Sequence, residues 1–121
     1  IYGVGNITGR RLPLILIPTT SGTGSEVTPI SILTTGKSEI IGVVSPVLIP
    51  DIALLDPELT LGLPAHVTAA TGIDAMVHAI EAYASTSANN NLISKVLAKQ
   101  ALRLMGAALE TAVHTPRGVC Q

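Results

Sequence analysis

Gly72-Ile73-Asp74-Ala75-Met76-Val77-His78-Ala79-Ile80-Glu81-Ala82-Tyr83 decides the reading of this 121-residue chain. The stretch predicts a helix that is apolar nearly all the way round. Its exceptions are Asp74, His78 and Glu81. At helical spacing Asp74 and His78 lie one turn apart, and Glu81 follows nearly above them, so the three form one narrow stripe. A helix this apolar is expected to be buried, and buried charge needs a partner. A carboxylate and an imidazole at i and i+4 can chelate one divalent cation, which would supply that partner. The same spacing also fits a polar seam between two helices, with His78 satisfied by a hydrogen bond. Glu81 fits a role behind a ligating histidine less well than simple contact with solvent. His66 and His114 are poor further ligands, the first because Gly72 separates its segment and the second because it sits in the tail.

Outward from this helix, Pro64 suits a first helical turn, and a break is expected at Thr71-Gly72. The polar run Ser85 to Asn91 ends the segment. A last helix is expected from about Leu92 to Val113, with Leu97, Ala101, Leu104 and Ala108 as its apolar stripe. Lys95, Lys99 and Arg103 form a basic row that reads as a solvated face. The tail His114 to Gln121, with Pro116 and Gly118, is expected to be loose.

The first half reads as β-rich. Leu12 to Ile17 is an apolar run with the character of a buried strand. Val27 to Leu33, carrying Pro29, suits an edge or irregular strand. Thr35-Gly36-Lys37-Ser38 is a turn, Glu39 to Val44 another strand, and Ile52 to Leu55 a short strand stopped by Asp56-Pro57. Pro57 to Thr60 reads as one helical turn. A domain boundary is expected near residues 60–64.

Between the first two strand candidates lies Pro18-Thr19-Thr20-Ser21-Gly22-Thr23-Gly24-Ser25-Glu26. Glycines let a backbone approach a ligand, and successive N–H groups can cradle an anion. The hydroxyls add neutral donors for phosphate or ribose, and the loop follows a strand end, where dinucleotides bind in α/β proteins. It matches no full G-x-G-x-x-G, Walker or G-x-S-x-G signature, and an ordinary polar turn fits its composition equally well.

Composition narrows the classes. Hydrophobic residues make up 47% and charged residues 12%, which argues against disorder and for a surface partly covered by something else. The net charge of −1 gives no electrostatic reason to expect nucleic acid or an anionic membrane. No apolar run reaches membrane-spanning length. The one cysteine, Cys120, excludes a disulfide within the chain and fits a reducing, cytoplasmic setting. The chain starts at Ile1 rather than Met and runs through Gly3, Gly5 and Gly9, as an entry in mid-fold would.

The hydroxyl-glycine loop through Thr28, then Leu55-Asp56-Pro57-Glu58-Leu59-Thr60, Leu63-Pro64, and Thr71-Gly72 through Tyr83 occur in the order and spacing of one family. From about Leu12 to about Val113 the sequence resembles the iron-containing (group III) alcohol dehydrogenases. The resemblance implies an α/β then all-α fold of dehydroquinate synthase-like architecture. Residues 1–62 would be part of the dinucleotide-binding α/β domain, and 63–121 the start of the helical metal-binding domain. It implies NAD or NADP contacts at Thr19, Thr20, Ser21, Gly22, Thr23 and Thr28. It also implies Asp74 and His78 as the first two ligands of a divalent metal, Fe2+ or Zn2+. The implied reaction is hydride transfer between a small alcohol or aldehyde and nicotinamide.

The chain departs from the pattern in several places. The family's glycine-rich phosphate loop and its two further metal-binding histidines have no counterpart here. Ile40 stands where most members carry a lysine near the cofactor ribose, and Lys37 is not the aligned residue. Asp74, where one branch resembling maleylacetate reductases has asparagine, favours the metal-using branch. Such a middle third is expected to show little turnover alone, and to expose apolar surface that favours homo-oligomers or aggregation. A non-catalytic remnant with a residual metal-binding or interaction role is the alternative. A relative of the glycerol dehydrogenases or of dehydroquinate synthase is a further one, disfavoured by the long hydroxyl loop.

Overall fold

β-Branched residues dominate the first half and set its local structure. In the computed structural model, which describes residues 2–36 and 38–115, five strands form there. They are β1 (Gly3–Val4), β2 (Ile15–Leu16), β3 (Ile30–Thr35), β4 (Glu39–Val44) and β5 (Ile52–Ala53). β3 and β4 make an antiparallel hairpin in which Ile30 faces Val44 and Thr35 faces Glu39. Gly36, at a φ of 67°, supplies the left-handed step that reverses the chain. β1 adds in parallel on the far side of β4, so the sheet order is β1-β4-β3 and β3 is an edge among the described residues. β2 and β5 pair in parallel as a separate two-stranded ladder. Val43 and Ser45 are the buried positions of this half, and the Ser45 hydroxyl accepts the Val47 N–H at the start of a 3₁₀ turn over Pro46–Leu48.

Two expected strands are shorter than their apolar runs. Leu12 to Ile17 yields only β2, and Ile52 to Leu55 only β5. Neither is buried, with Ile15 and Ile52 about half exposed. Apolar side chains drive strand formation through burial, and a two-stranded ladder offers little to bury them against. The segment from Val27 splits into a 3₁₀ turn over Ser25–Val27 and then β3, because Pro29 has no N–H to give a ladder.

What ties this half together is a residue pair the sequence does not advertise. Arg11 Nη1 donates to Asp51 Oδ2 at 2.6 Å. Its Nε and Nη2 donate to the carbonyls of Val47 and Ile49, both at 2.7 Å. Asp51 Oδ2 also accepts the Leu14 N–H at 2.8 Å. One guanidinium thus spans the 46–51 connector, and one carboxylate fixes the entry to β2. The Arg11 hydrogen bond, then the Leu14 N–H, lower the Asp51 pKa from 3.8 to about 2. Because the folded-state pKa lies below the unfolded one, this contribution is complete above about pH 4 and is lost as pH falls through about 2. Asp51→Asn is therefore expected to lower the urea midpoint near neutral pH. The difference from the parent chain should shrink steadily between pH 4 and pH 2. A pH-independent difference would show that the charge is irrelevant.

The second half is helical. α1 spans Ala65–Ala84 and α2 spans Leu92–His114. Gly72 of α1 meets Leu109 of α2, and Tyr83 lies 5.2 Å under the Lys99 ammonium, so the two helices run antiparallel. Asn91 starts α2 with a reciprocal cap: its side chain accepts from the Ile93 and Ser94 N–H groups, and Ser94 Oγ accepts the Asn91 N–H.

Three expectations change here. α1 does not break at Thr71-Gly72. The Thr71 hydroxyl bonds back to the Val67 carbonyl at 3.0 Å, and Gly72 is used for close packing, since a Cβ there would lie 2.3 Å from Leu109 Cδ1. α1 is not buried all round either: only Ala79 is, while Ile73, Val77 and Ile80 are about half exposed. One neighbouring helix covers one face of a cylinder, and the apolar residues elsewhere stay bare. On α2 the covered row is shifted from the expected stripe. Ala98 is buried, whereas Leu97 and Leu104 remain 63% and 60% exposed. The covered row runs through Ala98, Leu102, Met105 and Leu109, beside the expected stripe, and Leu109 is the residue that meets Gly72.

The chain divides into two units. One comprises Ile1–Pro18 and Gly24–Asp56, and the other Thr19–Thr23 and Pro57–Gln121. The hydroxyl tip of the loop thus groups with the helices. Lys37 of the turn, Ile1, and the tail from Pro116 with Cys120 lie outside the described residues.

Candidate functional site

Helical periodicity puts Asp74 and His78 on one side of α1, and their side chains do converge. His78 Nε2 lies 3.8 Å from Asp74 Oδ1, with 55% and 52% of the two side chains exposed. That separation is long for a hydrogen bond but suits two donors sharing one cation. The pair is open rather than sunk in apolar surroundings, which corrects the expectation of a buried stripe. The reason is again that α2 covers a different face. Glu81, one turn on, is exposed, as solvent contact requires. His66 and His114 are exposed on their own segments. Among the described residues no group of three or more histidine, cysteine or acidic side chains gathers around a common point. The pair therefore provides two donors, half of what a closed metal sphere takes.

The loop tip packs on the same helix. Gly22 has a φ of 119°, and a Cβ there would fall 2.3 Å from the Thr71 carbonyl oxygen and 3.1 Å from Ala75 Cβ. Its lack of a side chain is thus used against the helix, a reason distinct from ligand approach. Thr71 and Ala75 are each three positions before Asp74 and His78, so the loop contact runs about 60° round the helix from the donor pair. Ser21 is exposed beside it, and Thr20 and Thr23 are half-buried. Thr19 is exposed; Thr28, in the other unit, is half-buried, with its hydroxyl donating to the Ser25 carbonyl at 3.1 Å. Gly24, at a φ of 63°, leads into the 3₁₀ turn with open space around it. An open, largely apolar cleft of about 450 Å³ lies between the loop tip and the two helices, lined by Ser21, Gly22, Thr71, Gly72, Leu104 and Leu109 among others. Asp74 and His78 stand outside it.

Sequence reasoning missed the Arg11–Asp51 brace, because no local signal joins residues 40 apart. It also missed the Asn91 cap, which the Asn-x-x-Ser spacing could have shown. Among the described residues no helix is long and apolar enough to cross a membrane.

Strands followed by a hydroxyl-glycine loop that packs on an Asp-x-x-x-His helix define a class: an α/β segment continuing into a helical segment. Residues 2–57 match the model of the iron-containing alcohol dehydrogenases, and residues 68–119 match that of the C-terminal part of the Fe-containing alcohol dehydrogenase family. The chain belongs to the iron-containing alcohol dehydrogenase family. It is 50% identical over 114 residues to long-chain-alcohol dehydrogenase 1 of Geobacillus thermodenitrificans, covering 89% of this chain and 28% of that one. It is 47% identical over 112 residues to sulfoacetaldehyde reductase of Bilophila wadsworthia, covering 92% of this chain and 28% of the relative. Among solved structures, sulfoacetaldehyde reductase from Bifidobacterium kashiwanohense in complex with NAD+ superposes with a TM-score of 0.87 at 39% identity, over 95% of this chain and 31% of that one. A crystal structure of 1,3-propanediol oxidoreductase gives 0.85 at 40% identity, over 93% and 29%. The chain thus spans under a third of the length of these relatives.

Proposed function

We propose that this chain supplies part of the catalytic apparatus of an NAD(P)-dependent, metal-dependent alcohol dehydrogenase. The overall reaction is hydride exchange between an alcohol or aldehyde carbon and nicotinamide. The observation that carries this reading is the convergence of Asp74 and His78 on one side of α1, on the helix where the Ser21–Gly22 tip also packs. A carboxylate and an imidazole suit Fe(II) or Zn(II) in charge and donor type. When bound, such a cation supplies Lewis acidity toward an alcohol or carbonyl oxygen.

The other roles belong to the chain's own groups. Asp74 would offset part of the cation's charge, and His78 would give it an imidazole nitrogen. Thr19, Thr20, Ser21, Gly22, Thr23 and Thr28 offer hydroxyl and backbone N–H donors to the phosphates and ribose of the cofactor. Ile40, exposed on β4, offers the ribose no cationic contact, so binding rests on these neutral donors. Small primary alcohols or aldehydes fit the reading as substrates. Sulfoacetaldehyde and 1,3-propanediol, named for two relatives, belong to that class.

The test is a fluorescence titration of NADH and NADPH against the chain, with and without Zn(II). A saturable enhancement that weakens when Thr20 and Thr23 are replaced by valine is the expected result. No saturation at millimolar cofactor would remove the cofactor half of the reading. Turnover by the chain alone, with a panel of short alcohols and Fe(II) or Zn(II), is expected to be negligible because among the described residues only Asp74 and His78 converge as donors.

A further inference from the structure

The cleft beside the loop tip is lined wholly by the helical unit, Thr19–Thr23 with Pro57–Gln121. At about 450 Å³ it has the volume of a small-molecule site. No charged residue lines it. Leu61, Leu63, Met105 and Leu109 are half-buried in its walls, and Leu104 is exposed there. The walls are aliphatic, with no aromatic ring on which a planar ligand could stack. They suit a flexible hydrocarbon chain.

The polar groups of the wall select the head of that chain. The Thr71 hydroxyl donates to the Val67 carbonyl at 3.0 Å, and the Thr60 hydroxyl to the Pro57 carbonyl at 2.8 Å. A hydroxyl has one hydrogen to give. Both are spent, so these two oxygens can only accept. An ionised head gains nothing here, because no wall residue carries the opposite charge. An aldehyde or ketone brings one more acceptor. An alcohol O–H brings the donor that both threonines lack. Gly22 lies against the Thr71 backbone, so Thr71 stands at the loop-tip end of the cleft.

We propose that this cleft binds an unbranched primary alcohol of about six to ten carbons, with its hydroxyl on Thr71 and its chain along Leu104, Met105 and Leu109. It is a second place for an alcohol on this chain, since Asp74 and His78 are not among its lining residues. Binding there draws on apolar burial and one hydrogen bond, and needs neither metal nor nicotinamide. The inference therefore stands apart from the oxidoreductase reading: the cleft can fill while the NADH titration fails, and the reverse.

The test uses the two methionines of the chain. Met105 lines the cleft and Met76 does not. With both methyl groups labelled with carbon-13, butan-1-ol, hexan-1-ol and octan-1-ol are titrated into the chain without metal or cofactor and followed by NMR. A saturable shift is expected at Met105 and none at Met76. Each added methylene should tighten binding by up to about fourfold, the worth of burying one. 1-Methoxyheptane has the composition of octan-1-ol but no donor, and should bind roughly threefold to tenfold more weakly. Ala108→Phe, at an exposed wall position, should abolish the Met105 shift with circular dichroism unchanged. Leu104→Gln should weaken binding without filling the space. A Met105 methyl that octan-1-ol leaves unmoved overturns the proposal. So does an equal shift at Met76, an affinity indifferent to chain length, equal binding of the ether, or binding that survives both substitutions.

Discussion

Replacing Gly22 with alanine is expected to lower the stability of the helical unit by roughly 2–4 kcal/mol, from a strained φ together with a steric shift. Two penalties coincide at this residue. Its φ of 119° lies where side-chain-bearing residues are rarely found, and its Cβ would be placed 2.3 Å from the Thr71 carbonyl oxygen. A backbone oxygen inside a helix cannot swing away as the end of a side chain can, so the loop tip must lift off α1. Gly24→Ala separates the two causes. Gly24 also has a positive φ, 63°, but nothing lies within 4 Å of the added Cβ, so it should cost only about 1–2 kcal/mol. Urea midpoints of both variants check the ordering. An equal loss in the two would mean that the contact with Thr71 contributes nothing. Because the lifted segment contains Ser21 and Thr23, Gly22→Ala is also expected to weaken NADH binding more than Gly24→Ala does.

The second large effect is on metal binding. Asp74→Ala and His78→Ala are each expected to weaken Zn(II) or Co(II) binding by more than the 10- to 100-fold, roughly, that attends loss of a group merely supporting a ligand. Among the described residues no third donor converges, so losing either leaves one side chain to hold the cation. Calorimetric titration of the chain measures this directly. Both side chains are about half exposed, and their exposed i,i+4 pairing contributes little to the helix. Thermal unfolding without metal should therefore move little, within about 0.5 kcal/mol of the parent chain. Glu81→Gln is expected to leave the affinity unchanged, since that carboxylate reaches solvent. Unaltered affinity in both Asp74→Ala and His78→Ala would sink the metal reading, and a loss in Glu81→Gln would bring a third donor into it.

The expected site lies on a less covered helix than its composition implies. An apolar helix is usually read as buried, and α1 has the residues for it, yet Ile73, Val77, Ile80 and Tyr83 are each between 42% and 53% exposed. Only one other helix, α2, packs along it among the described residues. Such surface on a chain that spans under a third of its relatives' length makes solution behaviour a sensitive readout. Conditions that cover it, by partner or by self-association, should raise apparent stability in a concentration-dependent way.

Local order in the chain determined a good deal here. The Asp-x-x-x-His spacing set both side chains on one side of a helix before any tertiary contact, because a 3.6-residue turn permits no other arrangement. Glu39 to Val44 became a strand with its expected bounds, since β-branching acts over neighbouring residues. Pro29 kept β3 from starting before Ile30. Tertiary structure alone decided the rest. It paired Arg11 with Asp51 across 40 residues. It chose Ala98 rather than Leu97 for the helix contact line, and it carried α1 straight through Gly72 because Leu109 needed the space. It also turned Gly22 against Thr71 and left the donor pair in the open. Each of these depends on which surfaces meet, and burial and close approach are properties of two segments together, which neither segment encodes by itself.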